Sequence, residues 1–208
     1  MAQLTTGNGL PDVVVTGIAM TTALSTDAEN TWKKLLDGQS GIRKLEDPFI
    51  EEYDLPVRIG GHLLEDFDGE LNKVELRRMS YLQKMATVVG RRAWQNAGSP
   101  EVDTRRLAVS VGTGMGSSEE LLFAYDAMRT KGLRAVSPLV VQKFMPNGPA
   151  AVIGLELGAK AGVTTVISAC ASGSEAIATA WRNIAYGEAD MAICGGVETK
   201  IEAVPIAA

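Results

Sequence analysis

Val163-Thr-Thr-Val-Ile-Ser-Ala-Cys-Ala-Ser-Gly-Ser-Glu-Ala-Ile-Ala-Thr-Ala-Trp-Arg-Asn-Ile-Ala-Tyr-Gly187 changes its apolar period part-way, and that change decides the fold. Residues 163–169 are β-branched and apolar, as a buried strand requires. Residues Glu175 to Tyr186 carry a helical pattern closed by Gly187. Ser172 and Glu175 have capping-box spacing, so a helix is expected to begin within two or three residues of Cys170. A helix N-terminus presents free backbone N–H groups and partial positive charge, which favours thiolate over thiol. Small neighbours leave room for a substrate. Cysteine is usually just a small buried hydrophobe, but this setting makes Cys170 a candidate nucleophile. Cys194, in Met191-Ala-Ile-Cys-Gly-Gly196, reads instead as a core residue ending a central strand.

The rest of the chain repeats the alternation. Leu107–Val111 predicts a strand that enters Gly112-Thr-Gly-Met-Gly116 and then a helix over Ser118–Thr130. Pro146–Leu157 is small and apolar, a buried helix. Glu75–Ala97 predicts one long helix, with Met79, Leu82, Met85, Ala86 and Val89 at helical spacing and Gly98 and Pro100 as its stop. Val13–Gly17 reads as the first strand. A helix from about Asp27 to Asp37 follows, capped by Thr26 and Glu29 and ended by Gly38. Val57–Gly61 reads as a short strand. Strands alternating with helices imply an α/β fold with a mainly parallel sheet covered on both faces.

Composition narrows the function classes. A chain of 208 residues, 46% hydrophobic and with 22 glycines, suits one enzyme-like domain with a substantial core. A formal net charge of −5 argues against general nucleic-acid binding. Two cysteines are too few for a disulfide framework and fit a reducing cytoplasm. Residues 1–11 are polar and glycine-containing, a flexible N-terminus without the pattern of a signal peptide. No apolar run reaches the length of a membrane span. The apolar ending at residues 201–208 carries no stop signal and reads as an interruption.

Other motifs are weaker. Gly112–Gly116 lacks the last glycine of a dinucleotide fingerprint and the Lys-Ser/Thr of a phosphate loop, so it reads as a tight turn that lets another backbone or a ligand come close. One histidine, His62, and two distant cysteines serve metal binding poorly, and no cofactor is expected. Arg77, Arg78, Lys131 and Arg134 are either an ordinary solvated face or a positive patch for an acidic partner.

Ser168-Ala-Cys-Ala-Ser-Gly173, Cys194-Gly-Gly-Val-Glu198, Met145-Pro-Asn-Gly148, Arg77-Arg-Met-Ser80 and Gly112–Gly116 together resemble the β-ketoacyl-acyl-carrier-protein synthases, in particular the mycobacterial members that elongate meromycolate chains. The resemblance runs from Val13 to Ala208. It implies the N-terminal half of a thiolase-like fold over residues 12–208, with a mixed, mainly parallel five-stranded sheet flanked by helices, apparently truncated.

The chemistry the resemblance implies is a decarboxylating Claisen condensation. Cys170 takes a long acyl chain from acyl carrier protein as a thioester, and a malonyl-carrier loses carbon dioxide to extend it. Met115, Phe144, Met145, Glu198, Ile201 and Pro205 correspond to residues beside the family's acyl tunnel. Arg77, Arg78, Lys131 and Arg134 correspond to its patch for carrier protein. The strand at Thr164–Ser168 is similar to the one that pairs across the family's homodimer axis. Two histidines and a lysine that the family uses for decarboxylation are not in this sequence, and His62 stands in a different segment. The resemblance therefore implies a nucleophile-bearing half that alone lacks the full reaction, the alternatives being a non-catalytic partner subunit and an inert truncated product.

Overall fold

The computed structural model describes residues 9–198 and 201–208. Residues 1–8, most of the expected flexible N-terminus, lie outside the described residues. In chain order the elements are α1 (Ala28–Leu36), β1 (Arg43–Lys44), α2 (Pro48–Glu52), β2 (Ile59–Gly60), α3 (Lys73–Arg78), α4 (Tyr81–Asn96), β3 (Leu107–Gly112), α5 (Ser118–Lys131), α6 (Val140–Phe144), α7 (Gly148–Leu157), β4 (Val163–Thr164), α8 (Ser172–Ala185), β5 (Met191–Gly196) and α9 (Ala203–Ala207).

A parallel sheet in the order β4–β3–β5 forms the centre, with Leu107 opposite Met191 and Gly112 opposite Gly196. The pairing of β3 with the β4 segment runs beyond β4, because the Thr113 N–H donates to the Val166 carbonyl at 3.2 Å. Every residue of β3 is buried. Side chains alternate across a strand, so Val109 and Val111 share one face. They pack there with Ala86 of α4 and with Ala150 and Ile153 of α7. On the other face Ala108, Ser110 and Gly112 are small, and α8 lies close over them with Ala176 and Ala180 buried. A second apolar cluster joins Phe67 and Leu71 to Leu82, Met85 and Val88 of α4. A third holds the antiparallel β1–β2 hairpin through Leu45, Ile50 and Leu55.

Four expectations need correction. The central sheet has three strands among the described residues, and Val13–Gly17 is not one of them. Its Gly17 packs so tightly on α4 that an added Cβ would lie 2.7 Å from Ala97, and Ile18 N–H donates to Asn96 at 2.9 Å. These contacts hold the segment against the end of α4. Val14 and Val15 stay 70% and 78% exposed, across an apolar groove of about 210 Å³ from β5 and α8.

The predicted helix Glu75–Ala97 is two helices. Met79 is extended, and Ser80 starts α4 with a full capping box closed by Gln83. Helix α1 is capped by Asp27, whose carboxylate accepts from Asn30 N–H at 2.8 Å, in place of the expected Thr26–Glu29 pair. Cys194 is open to solvent on β5, the strand at the sheet's edge, where it lines the groove facing Val13–Gly17. The apolar groups crowding its sulfur still push its thiol pKa up.

Candidate active site

Strand β4 leads into a tight turn that ends in α8, and Cys170 sits on that turn, exposed. Ala169, just before it, has φ +48°, a left-handed conformation that costs a non-glycine residue about 1–2 kcal/mol. Such strain persists where the surroundings over-determine the backbone. Here Ser172, Thr113 and Glu175 do so. The buried Ser172 hydroxyl lies 2.7 Å from the Ala169 carbonyl and 3.2 Å from the Thr113 carbonyl, and it accepts from Ser168 N–H at 2.9 Å. The Ser168 hydroxyl donates to the Glu175 carboxylate.

Ser172 and Glu175 therefore do not form the expected capping box. Ala171 occupies the cap position, and both side chains bind the turn that carries the thiol. The helix still begins two residues after Cys170, as the spacing predicts.

Backbone contact sets the height of this turn above the sheet. A Cβ on Gly112 would fall 2.3 Å from the Ser172 carbonyl oxygen, and one on Gly196 would fall 2.7 Å from the Gly173 Cα. Gly112 and Gly196 are register partners on β3 and β5, so the first turn of α8 rests on two adjacent glycines with no side chain between.

The turn after β3 forms the next wall. Thr113 Oγ accepts from Gly116 N–H at 3.2 Å and donates to Glu198 at 3.3 Å. The Glu198 carboxylate also accepts from Gly114 N–H at 2.8 Å and more weakly from Met115 N–H at 3.4 Å. On the far side, a Cβ on Gly116 would lie 3.3 Å from Pro146 and 3.5 Å from the Phe144 carbonyl. One on Gly114 would lie 3.5 Å from the Ala169 carbonyl. Met115, Phe144–Met145 and Glu198 thus converge beside the Cys170 turn, with Met115 and Met145 48% and 42% exposed.

The chain that carries this exposed cysteine on a strand–turn–helix is similar to known proteins. Residues 11–208 match the family described as β-ketoacyl synthase, N-terminal domain. The chain belongs to the β-ketoacyl synthase family. It is 74% identical over 205 residues to the 3-oxoacyl-[acyl-carrier-protein] synthase 2 of Mycobacterium leprae, covering 99% of this chain and 49% of that protein. The synthase of the same name from Mycobacterium tuberculosis is 72% identical over 207 residues, all of this chain and 50% of the relative. The chain thus spans about half the length of these curated relatives. Among solved structures, the ishigamide ketosynthase/chain length factor matches with a TM-score of 0.80 at 25% identity, over 93% of this chain and 49% of that one. A type II ketosynthase described in complex with its acyl-carrier protein shares the fold, with a TM-score of 0.75 at 18% identity over 93% and 52% of the two chains.

Within this β-ketoacyl synthase half the other expected residues lie elsewhere. Ile201 packs against the hairpin cluster with Ile206, and Pro205 lies in α9 between them in sequence. The four basic residues are exposed and make no ion pair among the described residues, but they form two pairs. Arg77 and Arg78 end α3, near the Ser80 hydroxyl that meets Ser117 at the start of α5 at 2.7 Å. Lys131 ends α5 and Arg134 follows it. A 14-residue helix is about 20 Å long, so the pairs stand at opposite ends of α5. His62 lies by the hairpin, its Nε2 2.7 Å from Asp47. Among the described residues no group of three or more His, Cys, Asp or Glu side chains is gathered as a metal site needs, and no helix is long and apolar enough to cross a membrane.

Ser168 and Gly196 were not singled out by the sequence for a role in this turn, whereas the Gly112–Gly116 turn was expected to let another backbone come close, and the Ser172 carbonyl does so at Gly112. The repeated glycines at the ends of two parallel strands were the available signal.

Proposed function

We propose that this chain is the nucleophile-bearing half of a β-ketoacyl-acyl-carrier-protein synthase, in which Cys170 receives a long acyl group from acyl carrier protein. The observation that carries this reading is an exposed cysteine on a strained turn at the start of α8, beside a turn on which Met115 is exposed. The Cys170 sulfur attacks the thioester carbonyl, the carbonyl–sulfur bond to the carrier breaks, and the carrier's thiol leaves with the proton. The Cys170 N–H at the helix start is a donor for the oxyanion formed in that step.

Condensation with malonyl-carrier in fatty-acid and mycolic-acid elongation completes the reaction. It draws on two histidines and a lysine that the family supplies and this sequence does not contain. The carrier protein is recognised by Arg77 and Arg78 at one end of α5 and Lys131 and Arg134 at the other. The solved ketosynthase described with its acyl-carrier protein supports that class of partner. A homodimer through the outer edge of β4 and the segment after it is supported by the exposed Val163 and Ile167. A non-catalytic chain-length-factor role is less favoured, because Cys170 is kept and presented.

Incubating the 208-residue chain with a long-chain acyl-carrier thioester and reading intact mass tests the proposal. One acyl group on the parent and none on Cys170→Ala is expected. Equal labelling of the variant removes Cys170 from its role, and an unlabelled parent removes the acyl-transfer reading.

A further inference from the structure

We infer that Glu198 is a positioning residue that sets acyl selectivity by holding Met115, and does so without touching the acyl group. The inference rests on the reading of Cys170 as acyl acceptor, and it assigns regulation of selectivity to a contact 83 residues apart in sequence.

Successive backbone N–H groups form a concavity suited to an anion. Here Gly114 N–H and Met115 N–H both donate into the Glu198 carboxylate, and the buried Thr113 hydroxyl adds a third donor. Both carboxylate oxygens take part, Oε2 from Gly114 and Oε1 from Thr113 and Met115. A Cβ on Gly114 would come 2.7 Å from Glu198 Oε2, so the glycine is what lets the carboxylate lie on the backbone. The opposite side of the same turn meets Phe144 and Pro146 through Gly116. Met115 is thereby gripped at its backbone from both sides while its side chain stays open. Glu198 stands two residues after β5, and β5 shares the glycine seat of α8. The carboxylate therefore references the Met115 wall to the same strands that seat the nucleophile.

A charged acceptor holds a backbone N–H more strongly than a neutral one. Glu198→Gln keeps the shape but turns one acceptor into a donor, and Glu198→Ala removes the grip. The first measurement is amide hydrogen exchange at Gly114 and Met115 in the 208-residue chain. Exchange at least about tenfold faster in Glu198→Gln, with α4 and α7 protection unchanged, is expected for a positioning contact of this kind. Unchanged exchange at both amides overturns the inference, whatever the chain's activity.

The second measurement is the ratio of Cys170 acylation rates with hexadecanoyl and octanoyl carrier thioesters. The ratio should fall in the order parent, Glu198→Gln, Glu198→Ala, and Met115→Ala should lower it too. In the double variant Glu198→Ala/Met115→Ala the two effects should not add, since both act through one wall. Additive effects mean that Glu198 meets the acyl group independently, and they overturn the inference. A parent that exchanges as expected yet takes no acyl group defeats the acyl-transfer reading and leaves the backbone contact standing.

Discussion

Gly112 is the residue on which the candidate site depends most directly. Its absent side chain lets the Ser172 carbonyl approach, and the atom that would be struck belongs to the backbone of a helix. Gly112→Ala should therefore lift the first turn of α8 and cost about 1–3 kcal/mol, the usual range for overpacking a tight site. Urea denaturation measures the loss, and a changed rate of Cys170 alkylation by iodoacetamide reports the moved turn. Unchanged stability and alkylation together would mean that the seat tolerates a methyl group. The placement of Cys170 on a turn just before a helix was legible in the sequence, because a β-branched run and a helical run meet at it. The Ser168–Glu175 and Glu198–Gly114 contacts were not. The first was masked by a spacing that also spells a helix cap, and the second joins residues 84 apart whose approach only the fold creates.

At the scale of elements, the break between α3 and α4 shows what periodicity misses. Apolar spacing runs through Met79 without interruption, yet Ser80 and Gln83 exchange both capping hydrogen bonds and start a new helix. The Ser-x-x-Gln pattern was present in the sequence, and the longer apolar register hid it. The Ser80 hydroxyl also meets Ser117 at 2.7 Å, so one side chain fixes the starts of α4 and α5. Ser80→Ala should cost about 1–2 kcal/mol, the range for a lost cap, read as a lower urea midpoint with an unchanged slope. A loss below about 0.3 kcal/mol would show that neither bond contributes. Strands β3 and β5 were legible as apolar runs, but Val13–Gly17 carries an equal run and stays out of the sheet. Its neighbours on α4 decide that, through Gly17 and Asn96.

For the whole molecule, two adjacent arginines of α4 reach in different directions and join distant segments. Arg91 pairs with Glu75 and with Glu156 of α7, and Arg92 holds Glu65 by two bonds of 2.8 Å and also Glu70. The Arg92 guanidinium holds the Glu65 carboxyl below its ordinary value. Burial alone pushes Glu75 up, but Arg91 and the Asn72 N–H together hold it below its ordinary value. A carboxyl depressed in the folded state gives stability that is full above its unfolded value near 4.5 and is lost as pH falls through the folded value. The melting temperature should therefore fall steeply below about pH 4.5, and Arg92→Met should flatten part of that slope. An equal slope in the variant would remove the Arg92–Glu65 pair as its source. The outer edge of β4 yields a separate expectation. If the proposed dimer forms through this edge, Ile167→Asp, just beyond β4, should lower the sedimentation coefficient to a monomer's, while an unchanged coefficient would move the interface elsewhere.

The glycine seat under α8 also bears on how such a protein diversifies. The height of the thiol's turn above the sheet is set where main-chain atoms rest on main-chain atoms at Gly112 and Gly196. Beside it, Met115 and Met145 present exposed side chains. The seat admits only glycine, whereas the exposed side chains beside it are open to exchange. A library randomised at positions 115, 144 and 145 should scatter widely in which chains it accepts while its members keep a common intrinsic thiol reactivity.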